Sequence, residues 1–175
     1  MLPILDYCSQ LWSPSDQASI AKLEGVQRNF TRLIIGMEDK DYIERLDLLQ
    51  MYSQERRRER YEIIFIWKIS QGLVKGYNLQ FSQSDRRGRM VVPNPAVRNS
   101  PFRVRSAREA TLGVKGGKIF NLLPVWIRNM NGVSVDKFKS ELDRFLAGVP
   151  DQPTVPGRGR AATTNSLLDQ LQIIF

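Results

Sequence analysis

The chain has 175 residues, 42% of them apolar, and carries 26 lysines and arginines against 18 aspartates and glutamates, a formal net charge of +8. This length predicts one domain, or one domain with a tail, that is able to bury a core. Because the chain contains no histidine and a single cysteine, Cys8, a zinc finger, a histidine-dependent catalytic triad and an internal disulfide are excluded within it.

No apolar stretch of the sequence is long enough to cross a bilayer, and the longest apolar run covers only residues 63–67. Met1 is not followed by the charged and apolar regions of a secretory signal. We therefore expect an intracellular protein, cytoplasmic or nuclear, that is not secreted and has no membrane partner.

Two helices are predicted in the first fifty residues. Ser13 and Ser15 are candidate N-caps of an amphipathic helix that ends at Gly36. Its apolar residues recur at helical spacing: Ile20, Leu23, Phe30, Leu33 and Ile34. Asp41, followed three residues later by Glu44, resembles a capping box and predicts a second helix of at most three turns.

Ser53 is the candidate cap of a third helix, "SQERRRERYEIIFIWKISQG". Its second half, residues 61–69, is apolar on every side and is expected to be buried. We expect its first half to project past the core and to carry four arginines outward: Arg56, Arg57, Arg58 and Arg60. The alternative is a solvated face on which these arginines pair with the interleaved glutamates.

Residues 76–118 lack a helical period and predict a long irregular loop or hairpin. Residues 86–118 contain a single acid, Glu109, and nine basic residues: Arg86, Arg87, Arg89, Arg98, Arg103, Arg105, Arg108, Lys115 and Lys118. The rest of the chain holds seventeen basic and seventeen acidic residues, so this segment accounts for the whole net charge. Such concentration favours phosphate binding, with Tyr77 and Phe102 available for base stacking. Disorder without a partner, or a soluble basic protein without one, are the alternatives.

Residues 119–148 predict a closing helical segment packed on the first one. Asn121 is a candidate cap of a short helix through Ile127, and Ser134 of a second helix that ends near Gly148. The second helix has one apolar stripe: Val135, Phe138, Leu142 and Phe145. Residues 149–165 predict a linker, and residues 166–175 a short amphipathic helix that docks back on the domain or pairs with another chain.

The predicted fold is therefore mainly α: a small helical domain of about five helices (residues 1–75 and 119–148), a long basic irregular loop or hairpin, and a C-terminal tail. Catalysis on phosphates usually requires carboxylates that converge on metal ions, and the sequence has no adjacent aspartate pair. The stretch "GVKGGK" lacks the spacing of a phosphate-binding loop. We predict no catalytic residue and no metal site in this chain.

Seven motifs follow one another along the chain: "PILDYCSQLWSP", "IAKLEGVQRNFTRLI", "YIERLDLLQMYSQERRRER", "WKISQGL", "FNLLPVWIRN", "SVDKFKSELDRFL" and "VPDQP". In this order they resemble the region after the polymerase core in reverse transcriptases of non-LTR retrotransposons, the LINE-like elements of the jockey type. The resemblance covers nearly the whole chain from about Pro3. Met1 lies within a motif, so the sequence is expected to be a fragment of a longer polymerase.

The resemblance implies a thumb-like and post-polymerase region that grips template and primer. It implies contacts with RNA, DNA or an RNA–DNA hybrid for Arg28 and Arg32 of "VQRNFTR" and for Arg56, Arg57 and Arg58 of "ERRR". The parent polymerase needs a divalent metal, but this chain lacks the palm and its aspartates, so we expect no cofactor and no activity alone. The alternative is a helical remnant for protein interaction, with self-association through the C-terminal helix.

Overall fold

The computed structural model describes residues 2–76, 111–155 and 164–174, and within these ranges the chain forms nine helices and no strand. The helices are α1 (Leu2–Asp6), α2 (Ser9–Trp12), α3 (Gln17–Arg32), α4 (Tyr42–Leu48), α5 (Gln54–Ser70), α6 (Leu112–Leu122), α7 (Val125–Arg128), α8 (Val135–Leu146) and α9 (Leu167–Ile174). The predicted mainly α fold is confirmed, with short helices in addition to the five or so that were expected.

Helix α5 lies at the centre of the described fold. It packs against α2 and α3 on the N-terminal side of the chain and against α6 and α8 on the C-terminal side, while α9 packs against α6. Most apolar side chains of the second half of α5 are buried as predicted, whereas Tyr61 and Phe65 are half-buried. Helix α5 therefore joins the N-terminal and C-terminal helices of the described fold.

The apolar core lies between α5, α6, α7, α8 and α9. Trp67 of α5 stacks on Phe138 of α8 with ring centroids 4.3 Å apart, and its indole N–H donates to the Met130 carbonyl oxygen at 2.8 Å. The predicted core residues Leu123, Ile127 and Leu142 are buried, whereas Phe145 is half-buried at the edge of the core. The apolar stripe of α8 was thus a correct guide to its buried face.

Helix α6 corrects the predicted boundary of the basic loop, because residues 112–118 are helical rather than irregular. A Cβ atom on Gly116 would lie 3.2 Å from Leu112 Cδ1 and 3.3 Å from Ile66 Cγ1, so the missing side chain lets α6 approach α5 closely. Glycine disfavours isolated helices, and because this stretch contains three glycines, helix propensity alone does not predict a helix here. Packing against α5 overrides that local preference.

Two of the predicted helix caps are present in the structure, and two others are not. Ser53 accepts a hydrogen bond from the Arg56 N–H, and Ser134 accepts one from the Lys137 N–H, as predicted. At α3 the cap is Asp16, which accepts from the Ser19 N–H at 2.8 Å, and not Ser13 or Ser15. Asn121 lies inside α6 instead of beginning a helix, and Pro124 precedes α7.

The C-terminal end of the chain docks on its own domain. Leu167 and Leu171 of α9 are fully buried in the core. Residues 149–155, predicted to be a linker, are also attached, since Val149 and Pro153 are buried against the domain. Residues 77–110 of the predicted loop and 156–163 of the predicted linker lie outside the described residues. Within the described ranges, no helix is both long and apolar enough to span a bilayer.

We predict that Leu171→Ala lowers the free energy of unfolding by about 2–5 kcal/mol, because it removes a fully buried side chain and leaves a cavity. Ile173→Ala, on the same helix at a position that is 72% exposed, should change stability by less than about 0.5 kcal/mol. Urea denaturation followed by circular dichroism measures both. Equal effects of the two substitutions would contradict the docked position of α9.

Candidate nucleic-acid interface

Seven of the predicted phosphate-binding residues lie outside the described residues: Arg86, Arg87, Arg89, Arg98, Arg103, Arg105 and Arg108. The other seven lie on three helices. Arg28 and Arg32 are on α3, Arg56, Arg57 and Arg58 are on α5, and Lys115 and Lys118 are on α6. These three groups have different surroundings. Some of the residues stabilise the fold through contacts within the protein, and others line a cleft.

Arg56 does not project past the core, and that part of the prediction is wrong. Its side chain is fully buried and donates to the carbonyl oxygens of Val149 and Pro150, at 3.3 and 2.8 Å, and to the side-chain oxygen of Gln170 at 2.6 Å. A buried guanidinium requires such acceptors. They come from residues 93 to 114 positions further along the chain, so the local sequence gave no sign of them.

Glu59, one turn after Arg56, is buried as well and binds the start of α9. Its carboxylate accepts from the Ser166 hydroxyl and from the Leu167 N–H, both at 2.8 Å, and lies 3.3 Å from Lys115 Nζ. Burial by itself lowers the pKa of Lys115, but Glu59 and Glu62 raise it above its ordinary value. Lys115 is therefore a structural cation between α5 and α6 and is occupied by protein carboxylates.

Arg57 and Arg58 bind the N-terminal helices. Arg57 pairs with Asp6 at 3.5 Å. Arg58, which is 3% exposed, donates to the Leu5 carbonyl oxygen at 2.8 Å, and its guanidinium carbon lies 3.9 Å from the ring centroid of Trp12. The expected outward position is therefore wrong for Arg58 too. Both side chains attach α1 and α2 to α5.

Three glutamates around this charged part of α5 have raised pKa values. Burial is the main cause at each of them, and it raises the pKa of Glu24, Glu55 and Glu62 to about 7. Neighbouring carboxylates act in the same direction, Asp151 on Glu24 and Glu59 on Glu55 and Glu62. These groups are candidates for proton uptake near neutral pH.

A cleft of about 330 Å³ lies between α3 and α4, and four basic side chains line it: Arg28, Arg32, Lys40 and Arg45. Two acidic residues, Glu38 and Asp41, are also part of its lining. The chain between the helices reverses at Gly36, whose φ of 82° is in the left-handed region that favours glycine. This reversal brings α4 beside α3 and joins Lys40 and Arg45 to the two arginines predicted from "VQRNFTR".

Arg45 has the most unusual surroundings of the four. It is 4% exposed, and its guanidinium donates to the carbonyl oxygens of Lys40 at 3.1 Å and Arg28 at 3.2 Å. Its Nε atom is buried without a hydrogen-bond partner. The Tyr42 ring centroid lies 5.6 Å from its guanidinium carbon. Within the described part of the chain, no carboxylate lies within 4 Å of its nitrogen atoms.

The other three basic residues of the cleft are Arg28, Arg32 and Lys40. Arg28 is half-buried, and its Nη1 atom is buried without a hydrogen-bond partner. Arg32 is exposed at the end of α3. Lys40 pairs with Glu44 at 3.1 Å, but both side chains are exposed enough for water to weaken that pair. The cleft thus combines partly buried guanidinium groups with exposed cations.

The resemblance singled out Arg28 and Arg32, which line the cleft, but not Lys40 and Arg45. Arg45 lies within the motif "YIERLDLLQMYSQERRRER", but the resemblance assigned it no role, and only the reversal at Gly36 brings it to α3. Lys118 is exposed on α6, which packs against α5 and α9, so it is on another helix pair. Across residues 2–76, 111–155 and 164–174, no group of three or more His, Cys, Asp or Glu side chains could hold a metal ion.

The raised pKa values predict a pH-dependent stability. Burial raises the pKa of Glu24 from 4.5, its value when exposed, to about 7, so the folded state binds more protons than the unfolded state between these values. The contribution of Glu24 to stability is therefore fully present below about pH 4.5 and is lost as the pH rises through about 7. Between pH 5 and 7 the loss from Glu24 is about 2 kcal/mol, at about 1.4 kcal/mol per pKa unit.

The substitution Glu24→Gln tests this prediction, because an amide at this position can still accept from the Gln54 N–H and donate to the Tyr42 hydroxyl. We expect its free energy of unfolding, measured by urea denaturation, to fall less between pH 5 and 7 than that of the unsubstituted protein. Glu38→Gln, which removes an exposed carboxylate, is the control for net charge. Parallel pH profiles of the unsubstituted protein and Glu24→Gln would refute the proposed titration.

Comparison of the chain with models of protein families, with curated proteins and with solved structures finds no match. The resemblance to non-LTR reverse transcriptases therefore stays a prediction from the seven motifs.

Proposed function

We propose that this chain is a non-catalytic C-terminal fragment of a retrotransposon RNA-directed DNA polymerase that binds the sugar–phosphate backbone of RNA, DNA or an RNA–DNA hybrid without base specificity. The order of the seven motifs supports the family, and the concentration of net charge in residues 86–118 supports a polyanionic partner. The parent polymerase would supply the palm and its divalent metal, so we expect no primer extension by this chain alone.

The observation that carries the proposal is the cleft between α3 and α4. Arg28, Arg32, Lys40 and Arg45 line one concave surface, and a phosphate backbone gains binding energy from such a cluster by releasing its condensed counterions. Arg45 and most other arginines of the described helices are already bound to carboxylates or carbonyl oxygens of the protein, whereas Arg28 keeps an unpartnered Nη1 atom and Arg32 is exposed. The cleft therefore offers the cations that an external anion can reach.

Three exposed residues in and between α1 and α2 favour a second candidate function, a helical module for protein interaction. Ile4, Tyr7 and Leu11 are each at least 75% exposed. Self-association through the C-terminal helix would be costly, because the face that contains Leu167 and Leu171 is already buried in the chain's own core. A concentration-independent monomer in light scattering would count against this candidate.

We predict that the double substitution Arg28→Gln/Arg32→Gln weakens binding to a single-stranded oligonucleotide and reduces the salt dependence. Loss of two phosphate contacts should make the slope of log K against log salt shallower by about 1.4. Fluorescence anisotropy between about 50 and 200 mM salt measures the slope. The matched control Lys139→Gln/Arg144→Gln removes two exposed charges on α8 and should leave the slope unchanged. Equal slopes for the two double variants would refute the cleft as the binding surface.

We also predict a separate contribution from the arginines of the basic segment. Replacement of Arg86, Arg87 and Arg89 by glutamine should weaken binding to all sequences alike, because backbone contacts do not distinguish bases. The same anisotropy titration, repeated with two oligonucleotides of different sequence, measures this effect. An effect on one oligonucleotide alone would indicate base recognition and contradict the proposal.

A further inference from the structure

We infer that the cleft between α3 and α4 holds a single phosphoryl group, with Arg28 and Arg45 at its base and Arg32 and Lys40 at its rim. This inference rests on the proposed function and makes it more specific, since a discrete site for one phosphate is more than a charged surface. The relevant chemistry is that of a phosphate ester, either an internal phosphodiester or a terminal phosphate of a nucleic acid.

Arg45 is a buried cation without a carboxylate partner among the described residues. An almost fully buried guanidinium loses most of its hydration, and such groups in proteins are usually paired with carboxylates or coordinate another charged group. Among the described residues, Arg45 meets two carbonyl oxygens and an aromatic ring but no carboxylate, and its Nε–H has no acceptor. A phosphate in the cleft would supply the missing negative charge.

Arg28 lies beside Arg45. The Arg45 guanidinium is bonded to the backbone oxygen of Arg28, so the two residues are in direct contact. Arg28 brings a second buried nitrogen without an acceptor, Nη1, and both side chains line the cleft. Buried polar atoms without partners are uncommon in folded proteins. Arg56 and Arg58 of α5 also have such nitrogen atoms, but those of Arg28 and Arg45 belong to two adjacent side chains that line the same cleft, which favours an anion there.

The volume, hydrogen-bonding groups and charge of the cleft fit a phosphate. The cleft volume of about 330 Å³ lies at the lower end of the range for small-ligand sites, enough for a phosphate with part of its sugar. A terminal phosphate offers three non-bridging oxygens and an internal phosphodiester two, and planar guanidinium groups bind either in a bidentate manner. Glu38 and Asp41 in the lining reduce the net positive charge, but the four cations still exceed them. An internal diester would neutralise part of this excess with its single negative charge, and a terminal phosphate would neutralise more of it.

The test separates the geometry of the site from its charge. Arg28→Lys keeps the positive charge and the backbone oxygen that binds Arg45, but it removes the planar guanidinium. We expect inorganic phosphate, titrated in nuclear magnetic resonance experiments at constant ionic strength against sodium chloride, to bind the unsubstituted chain. Arg28→Lys should weaken that binding at least about tenfold, and Lys139→Gln/Arg144→Gln should not change it.

Circular dichroism and the melting temperature in chloride show whether Arg28→Lys is folded, and Arg32→Lys at the exposed rim serves as a second variant with a smaller expected loss. Unchanged phosphate affinity in folded Arg28→Lys would overturn the inference, as would equal responses to phosphate and chloride. Retained oligonucleotide binding without phosphate binding would overturn the inference and leave the proposed function standing. Phosphate binding without oligonucleotide binding would leave a phosphate site in the cleft but overturn the proposed function and the nucleic-acid source of the phosphate.

Two oligonucleotides distinguish the sources of the phosphate, one with a 5′-phosphate and one with a 5′-hydroxyl. A preference of about tenfold for the phosphorylated strand, lost in Arg28→Lys, identifies a terminal phosphate. Equal affinities that Arg28→Lys lowers together identify an internal phosphodiester. Insensitivity of both strands to Arg28→Lys contradicts a discrete phosphate site in this cleft.

Discussion

The burial of charge on the first half of α5 is the constraint on which the rest of the described structure depends. Arg56 and Glu59 have no exposed surface, and a charge removed from water is tolerated only with partners in good geometry. Those partners come from the chain's other end: Val149, Pro150 and Gln170 for Arg56, and Ser166 and Leu167 for Glu59. The C-terminal segment is therefore part of the centre of the fold and not an attachment to its surface.

The same region also shows how Asp151 and Asn165 connect the start of α5 to the C-terminal segment. Asp151 accepts from the backbone N–H and the hydroxyl of Ser53, and Asn165 donates to both Ser53 and Asp151. The cost of this arrangement is visible in Glu24, Glu55 and Glu62, whose pKa values burial raises to about 7. The cleft between α3 and α4 is different, because its buried cation Arg45 meets carbonyl oxygens and a ring instead of a carboxylate. Around α5 most charged groups bind partners within the protein, although Arg56, Arg58 and Glu62 each keep at least one buried atom without a partner. Beside α3 the proposed partner of Arg45 is an external anion.

The sequence by itself determined the features that depend on neighbours three or four residues away. The helical class, the caps at Ser53 and Ser134, the apolar stripe of α8 and the burial of the second half of α5 followed from periodicity and capping chemistry. The resemblance of their motif also singled out Arg28 and Arg32, whose contact with nucleic acid stays a prediction. These signals depend on residues close together in the sequence, so they can be recognised without knowledge of the fold.

Only the tertiary structure decided where the charges of α5 point, whether "GVKGGK" is helical, and which residues join Arg28 and Arg32. Alternating arginines and glutamates indicate a solvated helix face unless distant partners take them up, and the partners of Arg56 lie more than ninety residues away. Gly116 disfavours a helix in isolation but allows α6 to pack closely on α5. Lys40 and Arg45 reach the cleft because the chain reverses at Gly36. In each case the deciding free energy comes from contacts between segments remote in sequence, which composition and spacing do not record.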